Sequence, residues 1–317
     1  MPYNLVDILI SVVLALIMFG IGLSLTLKSF TYIFLKPRAM LTGLSAQLFL
    51  LPLLALGVAT IFDLKPEFAV GLLILSVCPG GNTSNFVTFL LNGNTPLSIS
   101  MTSINSLIVM FWIPFITNIG LEHFMHASTH LHLPYLRTVL QILFVILLPV
   151  GIGIRVYAKY PEFTKKLNTS FSVPFGIFGK IKLHLLKMCT VLLLAVVFGI
   201  KFLAGENKGG VGISLQDWYD LLPAGLVFNL AGLLAGFLSA RLMRLEGRTP
   251  MTISIETGLQ NTMLAILVAS SISSEPEMQK PALIYATFSF ALTFAFALAT
   301  KYLRAQAIVR LRIKRNK

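Results

Sequence analysis

One acidic side chain of this sequence lies where a membrane would surround it. Among the 12 Asp and Glu residues, only Glu256 falls in the middle of a long apolar segment, MTISIETGLQNTMLAILVASS. A charge at that depth costs on the order of 3 kcal/mol on insertion scales, so it is usually paired and functional. No basic residue is expected at the same depth. A bound cation or a proton therefore remains as the compensating charge, and a helix kink with a protonated Glu256 is the structural alternative.

The residues after Glu256 could supply oxygen ligands to such a cation. The run TGLQNT, residues 257–262, interrupts the apolar segment with polar side chains and a glycine. Unwound backbone there would free carbonyl oxygens, and irregular backbone at membrane depth persists only where it lines a cavity. Oxygen ligands without His or Cys favour a hard cation such as Na⁺ over a transition metal.

A second polar break, CPGGNTSN at residues 78–85, interrupts an apolar segment in the first half of the chain. Pro79 removes a backbone donor, and the two glycines after it permit an unwound conformation. Two interrupted hydrophobic segments in corresponding positions indicate a transporter built from inverted repeats, whose sites lie where the broken helices meet. The half-helices that restart after Gly81 and Gly258 would also offer free N–H groups to an anion.

Further polar side chains lie within the apolar segments. Ser98, Thr102 and Asn105 are spaced i, i+4 and i+7, which places them on one face of a helix. Gln47 lies in the middle of another apolar segment. These side chains could offer oxygens to an ion, but hydrogen bonding between helices explains them equally well.

The motifs CPGGNTSN, NGNTPLSISMTS and ETGLQNTMLA resemble those of the bile acid:sodium symporter family, and the resemblance covers nearly the whole chain. It implies an all-α membrane protein in which two inverted repeats form a core and a panel domain, with two broken helices crossing in the core. It also implies that two sodium ions drive uptake of a small organic anion by alternating access. The implied repeats are residues 1–119, lacking a first helix, and 134–303, followed by a basic cytoplasmic tail at 304–317.

The resemblance also implies which residues bind each cargo. The first sodium site would consist of Ser84, Asn85, Ser98, Thr102 and Glu256. The second would consist of Gln47, Glu256, Gln260 and the backbone carbonyls of Thr257 and Leu259. The anion would contact Asn82, Thr83, Asn261, Ser289 and Phe290.

The expected substrate surface departs from the family pattern. Asn82 replaces a threonine that borders the substrate cavity, because GGNTSN stands where GGTASN is usual. Ser289 and Phe290 stand where some relatives have a His-Asn pair. The anion class therefore stays open among bile acids, sterol sulfates, pantoate, keto acids and other carboxylates or sulfonates.

The composition predicts that membrane helices position these residues. The chain has 317 residues, 56% hydrophobic and 12% charged, with a mean hydropathy of +0.84, which is typical of membrane proteins. Apolar runs of about 20 residues predict nine transmembrane helices. They span 5–27, 39–62, 66–91, 96–119, 134–155, 186–204, 218–240, 250–273 and 281–303. The connection at 156–185 is long, and its KIKLHLLK stretch could continue into the sixth helix.

The basic residues predict the orientation of these helices. An N-terminus outside and a C-terminus in the cytoplasm leaves all but five of the 25 Lys and Arg residues inside, in agreement with the positive-inside rule. We therefore expect a multi-pass protein of the bacterial inner membrane. The net charge of +13 is explained by topology and anionic lipids, so neither nucleic acid nor a protein partner is inferred.

Other function classes fit the sequence less well. An enzyme would need a nucleophile and base or a metal pair at depth, and a channel would need repeated charged or carbonyl rings. A proton-coupled transporter with Glu256 as the proton carrier is the main alternative. A zinc site at His123, His126, His130 and His132 is conceivable but has no Cys, and only Glu122 as a nearby carboxylate. Gly232 and Gly236 form a GxxxG motif that predicts close helix packing within the chain.

Overall fold

The computed structural model is α-helical apart from one short hairpin. It describes residues 5–23, 35–125, 140, 143–162, 164, 170–174, 180–184, 192, 196, 198–202, 210–272 and 276–315. In the first half, the helices are α1 (Leu5–Gly22), α2 (Pro37–Ile61), α3 (Pro66–Ser76), α4 (Asn82–Leu90) and α5 (Thr95–Met125). In the second half, they are α6 (Leu148–Lys159), α7 (Leu215–Leu242), α8 (Thr249–Gly258), α9 (Thr262–Ile272) and α10 (Lys280–Arg315).

Several of these helices are long and apolar enough to cross a membrane. Among the described residues, Pro37–Ile61, Leu215–Leu242 and Pro276–Thr300 meet both conditions. Helix α5 is a fourth if its two halves, which meet at a bend of 60°, count as one span. Pro114 accounts for the bend, because it cannot donate a hydrogen bond to the carbonyl four residues earlier. The count of nine spans stays a prediction, and the fifth and sixth predicted spans lie partly outside the described residues.

The connection after α6 contains a β-hairpin that the sequence interpretation missed. Strands β1 (Ser170–Pro174) and β2 (Lys180–His184) pair antiparallel, with Ser170 opposite His184 and Pro174 opposite Lys180. The suggestion that KIKLHLLK extends a helix is therefore wrong for residues 180–184, and the chain is not wholly α-helical. The alternation of polar and apolar residues in SFSVP and KIKLH is the period of a strand.

Two helices contain or follow a π-helical segment, and a proline explains each one. Ala46–Leu50 is π-helical within α2, and Leu143–Leu147 is π-helical just before α6. Pro52 and Pro149 follow these segments. Each proline leaves the carbonyl four residues earlier without its helical donor and crowds it, which favours a wider turn. The indole Nε1 of Trp112 on α5 donates to the freed Leu48 carbonyl at 2.8 Å.

The core of the molecule surrounds α3. This helix is apolar on all sides, and every residue from Phe68 to Ser76 is buried, as expected for a helix enclosed by others. Its neighbours include α5, α9 and α10, and the buried rings of Phe228 and Tyr285 belong to the same core. Helices α1 and α6 form a separate close pair, in which a Cβ added to Gly22 would lie 2.2 Å from the Val150 carbonyl oxygen.

The two predicted breaks are present and lie against each other. Helices α3 and α4 are separated at residues 77–81, and α8 and α9 at residues 259–261. Pro79 and Gln260 form an antiparallel β-bridge, and the N–H of Asn261 donates to the Cys78 carbonyl at 2.9 Å. We call this contact the crossing. At membrane depth, where lipid offers no hydrogen-bond partners, the crossing provides partners for the unwound backbone.

Two glycines allow the chain to take this path. Gly81 has a φ of +63°, which L side chains rarely adopt. A Cβ added to Gly80 would lie 2.4 Å from the Leu259 carbonyl oxygen, so only glycine lets the second break approach the first this closely. The backbone conformation and the close approach of the second break therefore account for the two glycines of CPGG.

The last helix extends beyond its predicted end. Helix α10 continues to Arg315, well past residue 303. The predicted basic tail is therefore helical over residues 304–315.

Candidate functional site

Glu256 lies on α8, two residues before the second break, and is completely buried. The Ser98 hydroxyl donates to Oε1 of Glu256, and the Thr102 hydroxyl donates to Oε2 at 3.2 Å. Ser98 and Thr102 lie one turn apart on α5, so the predicted helix face is directed at this carboxylate. In the part of the chain that the structure describes, neither Lys nor Arg forms an ion pair with Glu256.

Helix α4 brings the remaining members of the predicted first sodium site. Asn85 Oδ1 lies 2.6 Å from the Ser98 hydroxyl oxygen and 3.4 Å from that of Thr102. The Ser84 hydroxyl donates to the Gly81 carbonyl at 3.0 Å and also faces the Glu256 carboxyl group. The structure thus brings together all five predicted residues. We call them the first-site cluster: Ser84, Asn85, Ser98, Thr102 and Glu256.

The sequence interpretation missed one neighbour of this cluster. Thr88 is fully buried on α4, and its Oγ1 lies 3.4 Å from the Ser98 hydroxyl oxygen. Thr88 follows Ser84 by four residues and Asn85 by three, so it lies on the same face of α4 as these two predicted ligands. This helical spacing could have identified it from the sequence.

The first-site cluster contains more oxygen atoms than hydroxyl protons that could form hydrogen bonds between them. The Ser98 hydroxyl has one proton but lies within hydrogen-bond distance of two oxygens that have none, Asn85 Oδ1 and Glu256 Oε1, while the neighbouring Thr88 hydroxyl can donate to it. The Thr102 hydroxyl has one proton and two such neighbours. An ionised carboxylate and a carbonyl oxygen cannot donate. A small hard cation that accepts several oxygen ligands matches this donor set.

The residues of the predicted second sodium site surround the second break. Gln47 Nε2 donates to the backbone carbonyl of Glu256 at 3.4 Å, and Gln260 Nε2 donates to that of Thr257 at 2.9 Å. The side-chain oxygens of both glutamines are buried, and neither has a hydrogen-bond partner among the described residues. The Leu259 carbonyl points from the same break towards Gly80. We call Gln47, Thr257, Leu259 and Gln260 the second-site group.

The two unpaired oxygens are costly unless something binds them. A buried acceptor that loses water without gaining a partner costs about 1–3 kcal/mol. Gln47 lies in the π-helical segment of α2, an irregularity that frequently occurs at functional sites. A bound cation would provide such an oxygen with the partner that it lacks.

Asn105 completes the predicted stripe on α5 without joining the first-site cluster. It is fully buried, and neither its amide nitrogen nor its amide oxygen has a partner among the described residues. It lies one turn beyond Thr102 on α5.

The residues predicted to contact the anion are distributed over the crossing and α10. Asn82 is the first residue of α4, and Thr83, which follows it, is exposed. Asn261 is half-buried, and its Oδ1 accepts from the N–H of Leu264 at 3.1 Å, which caps α9. One N–H group that was expected to be free for an anion is therefore occupied by Asn261. The Nδ2 of Asn261 lies on the side of Gly81, 3.7 Å from the position of an added Cβ.

Ser289 and Phe290 occupy different environments on α10. Ser289 is buried and follows Tyr285, which contacts the second break, by one turn. Phe290 is 41% exposed, and its ring stacks on that of Phe294 at 6.5 Å. Of the two, Ser289 lies on the buried side of the helix and Phe290 on the exposed side.

The GxxxG motif packs within the chain, as predicted. A Cβ added to Gly236 would lie 2.0 Å from Thr257 Oγ1, so α7 and α8 approach closely there. The Ser254 hydroxyl donates to the Leu233 carbonyl at 2.7 Å, and the Thr257 hydroxyl donates to the Gly232 carbonyl at 2.9 Å. Helix α7 therefore supports the helix that carries Glu256.

One buried ion pair was not foreseen. Lys280 Nζ lies 3.0 Å from Asp217 Oδ2 and 2.5 Å from Glu277 Oε1, and the Lys280 and Asp217 side chains are almost fully buried. Asp217 also forms a capping box with Ser214 at the start of α7. The sequence analysis used the basic residues only to predict orientation and paired none of them with an acid. This ion pair joins the starts of α7 and α10.

Only one histidine of the conceivable zinc site, His123, lies among the described residues. His123 lies near the end of α5 and contacts the ring of Phe124. His126, His130 and His132 lie outside the described residues. Among the residues that are described, no group of three or more His, Cys, Asp or Glu side chains could hold a metal ion.

Comparisons with known proteins identify the family of this chain. Residues 11–205 match the model of the Sodium Bile acid symporter family. The uncharacterized sodium-dependent transporter YocS of Bacillus subtilis is 28% identical over 83% of this chain and 74% of its own length. The human ileal sodium/bile acid cotransporter is 28% identical over 90% of this chain and 77% of its own. The probable chloroplastic sodium/metabolite cotransporter BASS1 of Arabidopsis thaliana is 28% identical over 83% and 59%.

Proposed function

Because the chain belongs to the sodium bile acid symporter family, a family of multi-pass membrane transporters and not of enzymes, we propose that it is a symporter. In this proposal, sodium drives the uptake of a small organic anion by alternating access. The main supporting observation is that Glu256 is buried at the crossing and has no basic partner among the described residues. The oxygen atoms around it outnumber the hydroxyl protons that could bind them.

We propose two sodium ions as coupled cargo. One would be bound by the first-site cluster, and the other by the second-site group together with Glu256. The shared carboxylate offsets part of both positive charges. The unpaired oxygens of Gln47 and Gln260 support the second site, because a cation would provide the partner that they lack.

The anion would bind beside the crossing on the side of the half-helix starts. Helices α4 and α9 both begin there, and the first N–H groups of a helix have no intrahelical partners. With Asn261 Nδ2, these groups offer positive potential without a Lys or Arg side chain. Contacts from Asn82, Thr83, Ser289 and Phe290 would select the substrate. A carboxylate or sulfonate fits this field, in a bile-acid-like, pantoate-like or related anion.

The proposed architecture follows the family. Nine transmembrane helices would form two inverted repeats, residues 1–119 and 134–303, divided into a core and a panel domain. The crossing of α3–α4 with α8–α9 supports this arrangement, because each break falls in one repeat. The basic residues favour an N-terminus outside and a C-terminus in the cytoplasm of a bacterial inner membrane.

Uptake into proteoliposomes tests the function. Labelled taurocholate and labelled pantoate would be offered with an inward Na⁺ gradient, or with choline replacing Na⁺ at the same pH on both sides. We expect accumulation only with Na⁺ for at least one anion. A third condition would impose an inward proton gradient in choline. Uptake in that condition, with none from the Na⁺ gradient at equal pH, would replace sodium coupling with proton coupling through Glu256.

A further inference from the structure

Two side chains outside both proposed ion sites hold the backbone of the second break. We propose that Asn229 on α7 and Tyr285 on α10 are positioning residues, which fix the Leu259 carbonyl for Na⁺ by binding the carbonyl of Gly258. This inference rests on the proposed function, since it concerns the second sodium site.

The contacts converge on one carbonyl oxygen. Asn229 Nδ2 donates to the Gly258 carbonyl at 2.7 Å and to the Tyr285 hydroxyl at 2.7 Å. The Tyr285 hydroxyl in turn donates to the same Gly258 carbonyl. Asn229 and Tyr285 are both fully buried, so water does not compete for these bonds.

The amide of Asn229 can take only one orientation here. The Gly258 carbonyl can only accept, so the Asn229 atom that faces it must be the nitrogen. The nitrogen therefore faces both the Gly258 carbonyl and the Tyr285 hydroxyl, and Oδ1 on the other side is buried without a partner among the described residues. The Asn229 amide and the Tyr285 hydroxyl thus direct their donors at the same carbonyl of the break.

Holding Gly258 determines the direction of the next carbonyl. Leu259 has φ −99° and ψ 126°, an extended conformation, in which the carbonyls before and after the residue point to opposite sides. The Gly258 carbonyl points to α7 and α10. The Leu259 carbonyl therefore points away from them, towards Gly80 at the first break.

The ring of Tyr285 is held by neighbouring aromatic rings. It contacts those of Phe228 and Phe288, with centroid distances of 5.9 and 5.5 Å. A Cβ added to Gly225 would lie 3.0 Å from the Phe288 ring, so α7 and α10 are closely packed beside it. A carbonyl bound by such a side chain keeps its orientation when the ion leaves, as outer-shell partners do for metal ligands.

The test is a sodium titration of the purified full-length protein, with no organic anion present. Thermal unfolding would be followed as NaCl replaces choline chloride at constant ionic strength, so Na⁺ alone is the probe. Tyr285→Phe removes one hydroxyl and keeps the ring. Asn229→Leu removes both amide protons at similar volume. Tyr219→Phe, at an exposed tyrosine of α7, is the matched control.

We expect the Na⁺ concentration for half-maximal stabilisation to rise about tenfold in Tyr285→Phe, the lower range for loss of an outer-shell partner of a metal site. Asn229→Leu should have the larger effect, and Tyr219→Phe should match the wild type. Tyr285→Phe could instead lower the unfolding temperature in choline and leave the Na⁺ concentration for half-maximal stabilisation unchanged. That result would show that Asn229 and Tyr285 have only a structural role, and it would overturn the inference. A wild-type protein with no Na⁺ response would overturn the proposed function itself, which distinguishes the two failures.

Discussion

The two groups of oxygens around Glu256 differ in how they are satisfied. In the first-site cluster, the hydroxyls of Ser98 and Thr102 donate to the Glu256 carboxylate, and Asn85 Oδ1 lies at hydrogen-bond distance from both hydroxyl oxygens without a further proton. In the second-site group, the amide oxygens of Gln47 and Gln260 have no partner among the described residues. The first group is therefore partly held by its own hydrogen bonds, whereas the amide oxygens of the second group have none.

This difference separates stability from ion binding. Changes to the first-site cluster remove hydrogen bonds that exist without Na⁺, so they should weaken both the Na⁺-free protein and its Na⁺ response. Replacing Gln47 removes an unsatisfied oxygen and only one long hydrogen bond, of 3.4 Å, so it should affect mainly the Na⁺ response. The Na⁺ and choline titration measures both quantities for each variant.

The largest effect is expected for Glu256→Gln, because both groups share this carboxylate. The variant should insert and fold, since the glutamine oxygen can still accept from one of the two hydroxyls and its amide nitrogen can donate to the other hydroxyl oxygen. It should lose Na⁺-dependent stabilisation and Na⁺-driven uptake completely. Glu246→Gln, at an exposed position between α7 and α8, is the control. Wild-type uptake by Glu256→Gln would exclude the role assigned to this residue.

Ser98→Ala should damage the first-site cluster in both conditions. The substitution leaves the buried Oε1 of Glu256 without the donor that Ser98 provides, which costs about 1–3 kcal/mol. We therefore expect a lower unfolding temperature in choline and a weaker response to Na⁺. Ser103→Ala is the matched control, because the Ser103 hydroxyl bonds only the Ile99 carbonyl of its own helix. An unchanged unfolding temperature in choline would contradict the idea that this cluster holds itself together.

Gln47→Met should give the opposite pattern. It replaces a buried, unpaired amide oxygen with an apolar side chain of similar size. The Na⁺-free protein should be unchanged or more stable by up to about 1 kcal/mol, while higher Na⁺ concentrations are needed for stabilisation. Gln279→Met is the control, since Gln279 is also buried with an unpaired Oε1 but lies away from both groups. A strongly destabilised Gln47→Met with normal Na⁺ affinity would reverse the comparison.

The smallest effect on sodium is expected for Asn261→Ser. Serine can still cap α9 through its hydroxyl, but it lacks the amide N–H groups that we assign to the anion. Displacement of bound taurocholate at saturating Na⁺ should weaken about tenfold, which corresponds to about 1.4 kcal/mol. Na⁺ stabilisation should persist. Asn82→Thr, tested beside it, should change which anions are preferred. If neither variant changes anion binding, the half-helix starts are not the substrate site.

Much of the site was predictable because polar residues are rare in these apolar segments. The position of Glu256, the two breaks and the stripe on α5 could all be identified from residue type and spacing. The structure then placed Ser84, Asn85, Ser98 and Thr102 around Glu256, as the family resemblance implied. The family match confirms that resemblance.

What could not be predicted depends on partners far apart in the chain. Asn229 and Tyr285 resemble ordinary core residues until α7 and α10 bring them to the Gly258 carbonyl. The bond from Trp112 to the Leu48 carbonyl joins residues 64 positions apart, and only packing selects it. The β-hairpin was missed for a different reason. Its alternating pattern is visible in the sequence, but its position between apolar helices suggested a helical continuation.

Direct binding of radiolabelled sodium to the purified protein tests whether Glu256 organises two sodium sites at the crossing. Saturation would be followed in choline buffer at constant ionic strength, without organic anion, for the wild type and Glu256→Gln. We predict saturable binding that approaches two ions per chain in the wild type and no saturable binding in the variant. Equal binding by both proteins, or no saturable binding by the wild type, would contradict the account.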